Sequence, residues 1–519
     1  MEFHHDYSNQ HNNWRSKGRR ARLWLEGQKL VHAGVKVGVK YLLRSNEASK
    51  RLELVPVSSE TLEAGSFTVS KRERNGVVTP LLEVRTDLLK TFFEGCEKVR
   101  VAIRSGRIVV TALQVDLKIK ERVERIKRKL TEKVALAKGS LFHGSGIIDK
   151  ALHSGLLVAG VASFIQVGVE LDSNYLDASL RNNPELWNEE SIAINTDIRD
   201  LTLSGDIPQL DCVVAGIPCL GASRSGRSKN KIQNAEEHFS AGTLFIDFLD
   251  FVKASNPAIC IIENVPEYLD SVSMTVLRSV LSSLGYVLHE KVFNGAAFGV
   301  LEDRKRMVVV AITKGLGEGF TFPTPTDVKP VKVGDILDEI PHDSPRWKSY
   351  EYLVAKEERD IAAGKGFKLQ LVTANSKSVG TLGRGYFKGR STEPFLQHPD
   401  PTKPELSRLF TATEHARLKG IPPSMVDGLS ETIAHEVLGQ SVVYPVFQSV
   451  GWALGMALTN QVINPDYVLL QEEGIDSYCQ QVFGGGMCGV GPVCDMGIDS
   501  STQLPTKYIS GQQTQLAML

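Results

Sequence analysis

Hydrophobic positions recur along this chain in two rhythms. In residues 20–115 the apolar stretches are short and bounded by turn residues. Arg22-Leu-Trp-Leu-Glu26, Val37–Leu43, Leu52–Val57 and Val99–Arg104, which turns at Ser105-Gly106 into Arg107–Val110, predict strands ending in a hairpin. From Ser140 to Thr313 the apolar runs are nearly continuous and alternate with helix-like stretches: Phe164–Glu170, Leu210–Gly216, Ala258–Ile262 and Arg306–Ile312. Strands buried on both faces read this way, which predicts an α/β class with a doubly wound, mainly parallel sheet. Between the two zones, Leu117–Lys133 carries Ile119, Val123, Ile126 and Leu130 at helical spacing, with Lys118, Arg122, Arg125, Lys127, Arg128 and Lys129 on the other faces. A connecting amphipathic helix follows. Its basic face is expected to be solvated and laced by Glu121/Arg125 and Glu124/Arg128 pairs, in preference to a phosphate-binding stripe.

The same pass predicts an organisation. A polar, basic arm (1–19) precedes a small β-rich domain (20–116) and the linking helix (117–138). The α/β domain is expected at 139–325 and 405–465, interrupted by a Pro- and Gly-rich insertion at 326–404, and a Gly/Ser/Gln-rich tail (466–519), without regular structure, closes the chain.

Composition narrows the classes. At 519 residues with 42% hydrophobic and 23% charged, the chain is long enough for two or three cores. Its 60 basic and 60 acidic residues cancel, so contact with nucleic acid has to come from local patches. The cysteines number 7, an odd count, and Cys212 and Cys260 sit inside apolar strands, a pattern that fits a reducing cytoplasm. No apolar run reaches the roughly 18 residues of a membrane span, and Met1–Trp14 lacks a signal core; no membrane partner is expected.

Candidate chemistry collects at predicted sheet edges. Asp211–Leu220 puts Cys219 in a loop after one apolar strand, and Ala258–Val265 delivers Glu263 from the end of the next. In open α/β sheets reacting groups gather at the carboxyl ends of strands, so a thiol and a carboxylate are aimed into one crevice. Arg224 and Arg227 downstream would lower the thiol pKa. Leu141-Phe-His-Gly-Ser-Gly-Ile147 leads from a strand into a helix, where Gly144 and Gly146 let a ligand approach the backbone. Glu170, ending the second strand, is placed for ribose hydroxyls, and Asp197, after the third, for an adenine amino group. These features point to an adenosine-containing ligand; a dinucleotide would use the same geometry.

Pro218-Cys219 followed by Glu263-Asn-Val265 resembles motifs four and six of the DNA cytosine-5 methyltransferases. Phe142-x-Gly144-x-Gly146 is similar to motif one, Glu302-Asp-Arg304-Lys-Arg306 to motif eight, Arg408–Pro422 to motif nine and Leu438-Gly-Gln-Ser-Val442 to motif ten, six motifs in family order across residues 139–455. The resemblance implies a Rossmann-like methyltransferase domain, S-adenosyl-L-methionine as cofactor and double-stranded DNA as partner, as in restriction-modification. It implies catalytic roles for Cys219, Glu263, Arg304 and Arg306. Cys219 would add to C6 of a flipped cytosine, Glu263 would hydrogen-bond N3 and the exocyclic amine, and Arg306 would face O2. It assigns cofactor binding to Phe142, Gly144, Gly146, Glu170, Asp197, Ile198, Ser441 and Val442. Ser223, Arg224 and Gly226 would touch DNA, and the insertion would read its sequence, with Arg384, Lys388 and Arg390 reaching phosphates or guanine edges and Tyr386 or Phe387 stacking.

Three positions depart from the family pattern. Leu220 replaces the Gln after the catalytic Cys, Glu302 the Gln of motif eight and Gln440 the Asn of motif ten. Glu302 is expected to add negative charge beside DNA. Two other readings compete: a transfer-RNA cytosine methyltransferase, whose usual Cys-Phe-Thr signature has no counterpart because no cysteine lies between Cys260 and Cys479, and a non-catalytic DNA-binding protein on the same scaffold. Leu23–Gly38 with the terminal hairpin is also similar to AbrB-like DNA-binding domains, which implies an accessory DNA-binding module and a possible dimer through it.

Overall fold

The computed structural model describes residues 22–47, 51–58, 65–93, 96, 99–203, 207–218, 235–238, 241–324 and 331–459, together with the backbone of 507–510. The chain divides into two compact units, Met1–Glu121 and Arg122–Leu519.

The first unit is two antiparallel sheets. β1 (Arg22–Glu26), β5 (Ser70–Arg74) and β6 (Val77–Arg85) form one in the order β1-β6-β5, and β2 (Lys40–Asn46), β3 (Arg51–Val57), β4 (Ser66–Thr68), β7 (Val99–Arg104) and β8 (Arg107–Ala112) form the other in the order β4-β2-β3-β8-β7. Short helices α1 (Gln28–His32) and α2 (Asp87–Phe92) complete it. Leu25, Leu52, Leu54, Leu82, Ile108 and Val110 are fully buried in one shared core. The β5–β6 hairpin was not expected from the pattern, because charged Ser70–Arg74 offers no apolar alternation.

Helix α3 (Gln114–Glu132) runs across the boundary between the units, three residues ahead of its expected start. Its basic face departs from the expected solvated stripe. Arg122 and Arg125 are buried: the Arg122 guanidinium stacks 4.3 Å from the Tyr286 ring, and Arg125 Nε lies 3.0 Å from Asp211 Oδ1. Arg125 also donates to the carbonyls of Leu210 and Asn256, and Lys129 Nζ lies 2.5 Å from Asp211 Oδ2. These cations fasten the helix to the amino end of the large sheet.

That sheet contains β9 (Leu136–Leu141), β10 (Ser163–Glu170), β11 (Ile192–Asn195), β12 (Cys212–Gly216), β13 (Ile259–Asn264), β14 (Tyr286–Asn294) and β15 (Lys305–Thr313). Its order is β14-β15-β13-β12-β9-β10-β11, with β14 and β15 antiparallel to their neighbours and the other pairs parallel. Beyond β11, the backbone of Lys507–Ser510 in the tail adds a parallel strand. α4 (Ile147–Val158), α5 (Ser173–Asn182), α6 (Leu244–Ser255) and α7 (Val272–Ser283) supply the crossovers.

Two cores sandwich the sheet. Val214, Ile261, Val308 and Val310 face one of them, while Val213, Ala215, Ile262, Met307 and Val309 face the other. Both faces are covered, so both alternating sets are apolar, which is why these strands read as unbroken runs. The chain winds from β9 outward through β10 and β11, then returns to β12 on the other side of β9. The carboxyl ends of β9 and β12 therefore flank a topological switch point, where ligands bind in open α/β sheets.

The insertion builds its own small sheet in the order β16-β19-β18-β17, from β16 (Lys348–Ser349), β17 (Gln370–Val372), β18 (Pro394–Gln397) and β19 (Leu406–Arg408), with α8 (Glu351–Ala362). β19 lies past the expected boundary at 404, because its partner is β18 of the insertion. α9 (Ala412–Leu418), α10 (Glu431–Gln440) and α11 (Tyr444–Leu458) return the chain to the large domain. Among the described residues no single helix is long and apolar enough to cross a membrane.

Candidate active site

The loop after β9 is shaped by left-handed backbone. Phe142, Gly144 and Gly146 have φ of 55°, 61° and 77°. A Cβ at Gly146 would lie 2.6 Å from Ser179 Oγ, whereas one at Gly144 would meet nothing within 4 Å, so the loop is tight beneath and open above. Glu170, ending β10, reaches into it: Oε2 accepts from Gly144 N–H at 2.7 Å and Oε1 from Asp172 N–H at 2.9 Å. The expected ribose ligand thus stands against the glycine loop with its carboxylate held by two amides.

Beneath the loop lies a buried polar network that the sequence pattern does not reveal. His143 Nδ1 is 2.8 Å from Ser140 Oγ, and its Nε2 is 2.7 Å from Ser179 Oγ. Asp149 Oδ2 is 3.2 Å from His143 Nδ1, and Lys138 Nζ is 3.5 Å from Asp149 Oδ1. Burial alone would push the Asp149 carboxyl up, but Lys138 and His143 together hold it below the ordinary carboxylate value. Lys138 sits inside an apolar-looking strand and Asp149 in a helix; only the αβ crossover joins them.

The remaining cofactor candidates are placed unequally. Asp197 caps a short 3₁₀ turn (Ile198–Asp200) and is clamped by Arg199, with Arg199 Nη2 2.6 Å from Asp197 Oδ2, and this contact chiefly lowers its pKa. Ile198 is buried beside it. Ser441 Oγ donates to Leu438 O at 2.7 Å, and the Val442 side chain is wholly within the core. Gln440 Nε2 donates to Tyr175 Oη at 3.0 Å.

At the catalytic edge, parallel pairing puts Glu263 opposite Gly216, the last residue of β12. A Cβ at Gly216 would be 3.5 Å from Glu263 Oε2, so the carboxylate stands beside the last residue of β12, two residues before Pro218. Because β15 runs antiparallel, its beginning meets the end of β13, and Arg306 Nε lies 2.9 Å from Glu263 Oε1. Burial pushes the Glu263 carboxyl up, opposed by Arg306, then Arg304 and Lys419. Asn264, given no role from sequence, ties the two strand ends together: its Nδ2 donates to Ile217 O at 3.1 Å and its Oδ1 accepts from Val265 N–H at 2.8 Å. Cys219, Leu220, Ser223, Arg224, Gly226 and Arg227 lie outside the described residues. The Cys260 thiol, buried within β13, is pushed up to about 12 by burial.

Three expectations are corrected. Glu302 does not lie bare beside DNA: it is 0% exposed, 3.3 Å from Arg304 Nη1 and 3.1 Å from Lys419 Nζ. Arg304, expected among the catalytic residues, is also buried and donates to Gly439 O at 3.0 Å, so its guanidinium braces the protein. Tyr386 cannot stack on a nucleotide, being wholly buried with its hydroxyl donating to Pro394 O and accepting from Phe410 N–H, both at 2.9 Å. By contrast, Arg384, Lys388 and Arg390 are exposed; Arg384 Nη2 is 3.6 Å from Glu436 Oε2, and Lys388 lies over the Phe387 ring.

Comparisons with known proteins identify the family. Residues 137–455 match the family described as C-5 cytosine-specific DNA methylase. Type II methyltransferase M.SsoII of Shigella sonnei is 30% identical over 47% of this chain and 64% of its own length, so under two thirds of that protein is spanned. Type II methyltransferase M.NlaX of Neisseria lactamica is 30% identical over 49% of this chain and 79% of its own. The solved structure of S. pombe Dnmt2 methyltransferase is 22% identical, covering 63% of this chain and 99% of that one, with a TM-score of 0.48. With the family model spanning more than half of the chain, and with glycine loop, carboxylate and arginine at one sheet edge, this protein belongs to the C-5 cytosine-specific DNA methylase family.

Proposed function

We propose that the chain transfers a methyl group to C5 of a cytosine flipped out of double-stranded DNA, using Cys219 as nucleophile. The observation that carries the reading is the Glu263–Arg306 pair, 2.9 Å apart at the strand end beside Gly216, three residues before Cys219 in the chain. Cytosine C5 is a weak nucleophile. Addition of the Cys219 thiolate to C6 makes C5 enamine-like, while Glu263 supplies a proton at N3 and Arg306 offsets charge at O2. S-adenosylmethionine, when bound, provides the electrophilic methyl group. Loss of the C5 proton then expels Cys219 and restores the double bond. Base, thiol and cofactor can meet only with the base out of the stack.

The cofactor fits the residues present. Open space above Gly144, the Glu170 carboxylate fixed beside it and Asp197 at the head of its 3₁₀ turn suit an adenosine, and the resemblance adds Ser441 and Val442. Exposed Arg384, Lys388 and Arg390 suit DNA, and the N-terminal unit, with its AbrB-like stretch, suits an accessory DNA-binding or dimerising module.

Tritium transfer from labelled S-adenosylmethionine to DNA and to RNA tests the substrate. DNA containing 5-fluorocytosine should form a denaturation-resistant adduct, since fluorine cannot leave C5 as a proton does. Cys219→Ala should abolish both adduct and turnover; a methylating Cys219→Ala variant overturns the assignment of the nucleophile.

A further inference from the structure

We propose that Glu302 and Lys419 are positioning residues: their buried ion pair locks the Val379–Arg384 segment of the insertion onto the catalytic arginine loop, so that target engagement and alignment of Arg306 with Glu263 are mechanically linked. The inference rests on the methylation reading above.

Three segments converge on one carboxylate. Glu302 Oε1 accepts from Leu382 N–H of the insertion at 3.2 Å and lies 3.3 Å from Arg304 Nη1, while Oε2 is 3.1 Å from Lys419 Nζ at the end of α9. Both Glu302 and Lys419 are 0% exposed. The backbone follows the same seam. Val379 N–H donates to Leu301 O and Asp303 N–H to Val379 O, both at 2.8 Å, and Glu302 N–H donates to Leu418 O at 3.1 Å. Thr381 Oγ1 adds a bond to Asp303 O at 2.7 Å. Arg304 carries the contact on to Gly439 O, at a place where no side chain fits: a Cβ on Gly439 would be 2.4 Å from Gly383 C and 2.5 Å from Arg384 N.

The insertion is thus gripped at Val379–Arg384, one side of the grip being the stretch that leads straight into Arg306. Arg384 is one of the exposed cations placed for DNA. A single buried ion left without its partner is costly, whereas replacing both members by neutral groups is far better tolerated. That asymmetry makes the pair testable.

The charge environment offers an independent readout. Burial, then Arg304, lowers the Lys419 pKa to about 7, with Glu302 opposing and Arg306 adding to the depression. Its charge is felt in turn by Glu263, Glu393 and His415. Lys419 is thus more readily deprotonated than an ordinary lysine, and its deprotonation would remove the charge that pairs with Glu302.

The experiment is a double-mutant cycle on the full chain, with Glu302→Gln, Lys419→Gln and the double variant. It reads thermal unfolding, cofactor Kd by calorimetry, plasmid DNA affinity, and kcat/KM for DNA against pH. Each single variant should lose about tenfold or more in kcat/KM for DNA, and the double variant should lose much less than the product of the two. Cofactor Kd should stay within about twofold, as expected of sites with no shared partners. Wild-type kcat/KM should decline as pH rises through about 7, and that decline should vanish in the double variant, while any limb set by Glu263 persists. Multiplying losses, or cofactor affinity falling in step with DNA affinity, overturn the positioning role. A wild-type chain that neither binds nor methylates DNA overturns the underlying methylation reading instead, which separates the two failures.

Discussion

Glu263 Oε1 and Arg306 Nε stand 2.9 Å apart although they leave neighbouring strands in opposite directions. The antiparallel register of β13 and β15 makes one strand's end the other's beginning, which brings a buried carboxyl and a guanidinium together at one edge of the sheet.

Arg306→Leu removes the chief opposition to the burial that raises the Glu263 pKa. The pH limb belonging to Glu263 should move to higher pH, with a rate loss of about 10²–10⁴-fold, typical for a disturbed acid-base group. A kcat profile against pH measures both. The stability sign is also fixed. A folded-state pKa above the unfolded one gives a contribution present below the unfolded value and lost as pH rises through the folded one. Glu263→Gln should therefore gain thermal stability relative to wild type as pH is raised from acid toward neutral.

Asn264→Ala should slow methylation without touching cofactor affinity. It leaves the Ile217 carbonyl without its side-chain donor at the root of the Pro218-Cys219 loop. An unsatisfied buried group costs about 1–3 kcal/mol, so roughly tenfold or more in kcat is expected if the loop loses its alignment. Single-turnover rates at saturating cofactor check this.

Glu170→Ala should weaken S-adenosylmethionine binding by about tenfold or more, the scale of a hydrogen bond to a charged group, and free the Gly144 N–H besides. DNA affinity of the cofactor-free protein should not change. Calorimetry with unaltered cofactor affinity would remove Glu170 from the site.

Lys138→Met strands Asp149 in the core beside His143, and losing one member of a buried pair costs about 3–5 kcal/mol. Asp149 holds its pKa below the unfolded value, so its stabilisation is present above that value and fades as pH falls through the folded one. The gap in unfolding temperature between variant and wild type should shrink in acid.

Removal of residues 1–113, leaving the chain to start at α3, should keep the methylated sequence, because every site residue lies downstream. If the N-terminal unit neutralises DNA phosphates, the plot of log K against log salt should become shallower by about 0.9 for each phosphate it no longer neutralises. An unchanged slope and unchanged mass by light scattering would assign the unit some other task.

What the sequence determined by itself was the set of elements and the loops that carry chemistry. Strands covered on both faces are apolar at successive positions, so β10, β12, β13 and β15 are legible as runs, and a strand end followed by Gly-x-Gly, Pro-Cys or Glu-Asn locates the crevice because α/β sheets place their reacting edge there. Charge gave a poorer guide. Arg122 and Arg125 look solvated on a helical wheel, and Glu302 looks exposed in a basic loop, yet all three are buried, each against a partner far away in the chain. Tyr386, in the most basic part of the insertion, looks available to a base and is core. A hydrophobic residue reports its burial through its own identity and spacing, but a charged residue is buried only where the fold supplies a counter-ion, a carbonyl or an aromatic face to receive it, and that pairing is decided by tertiary structure alone.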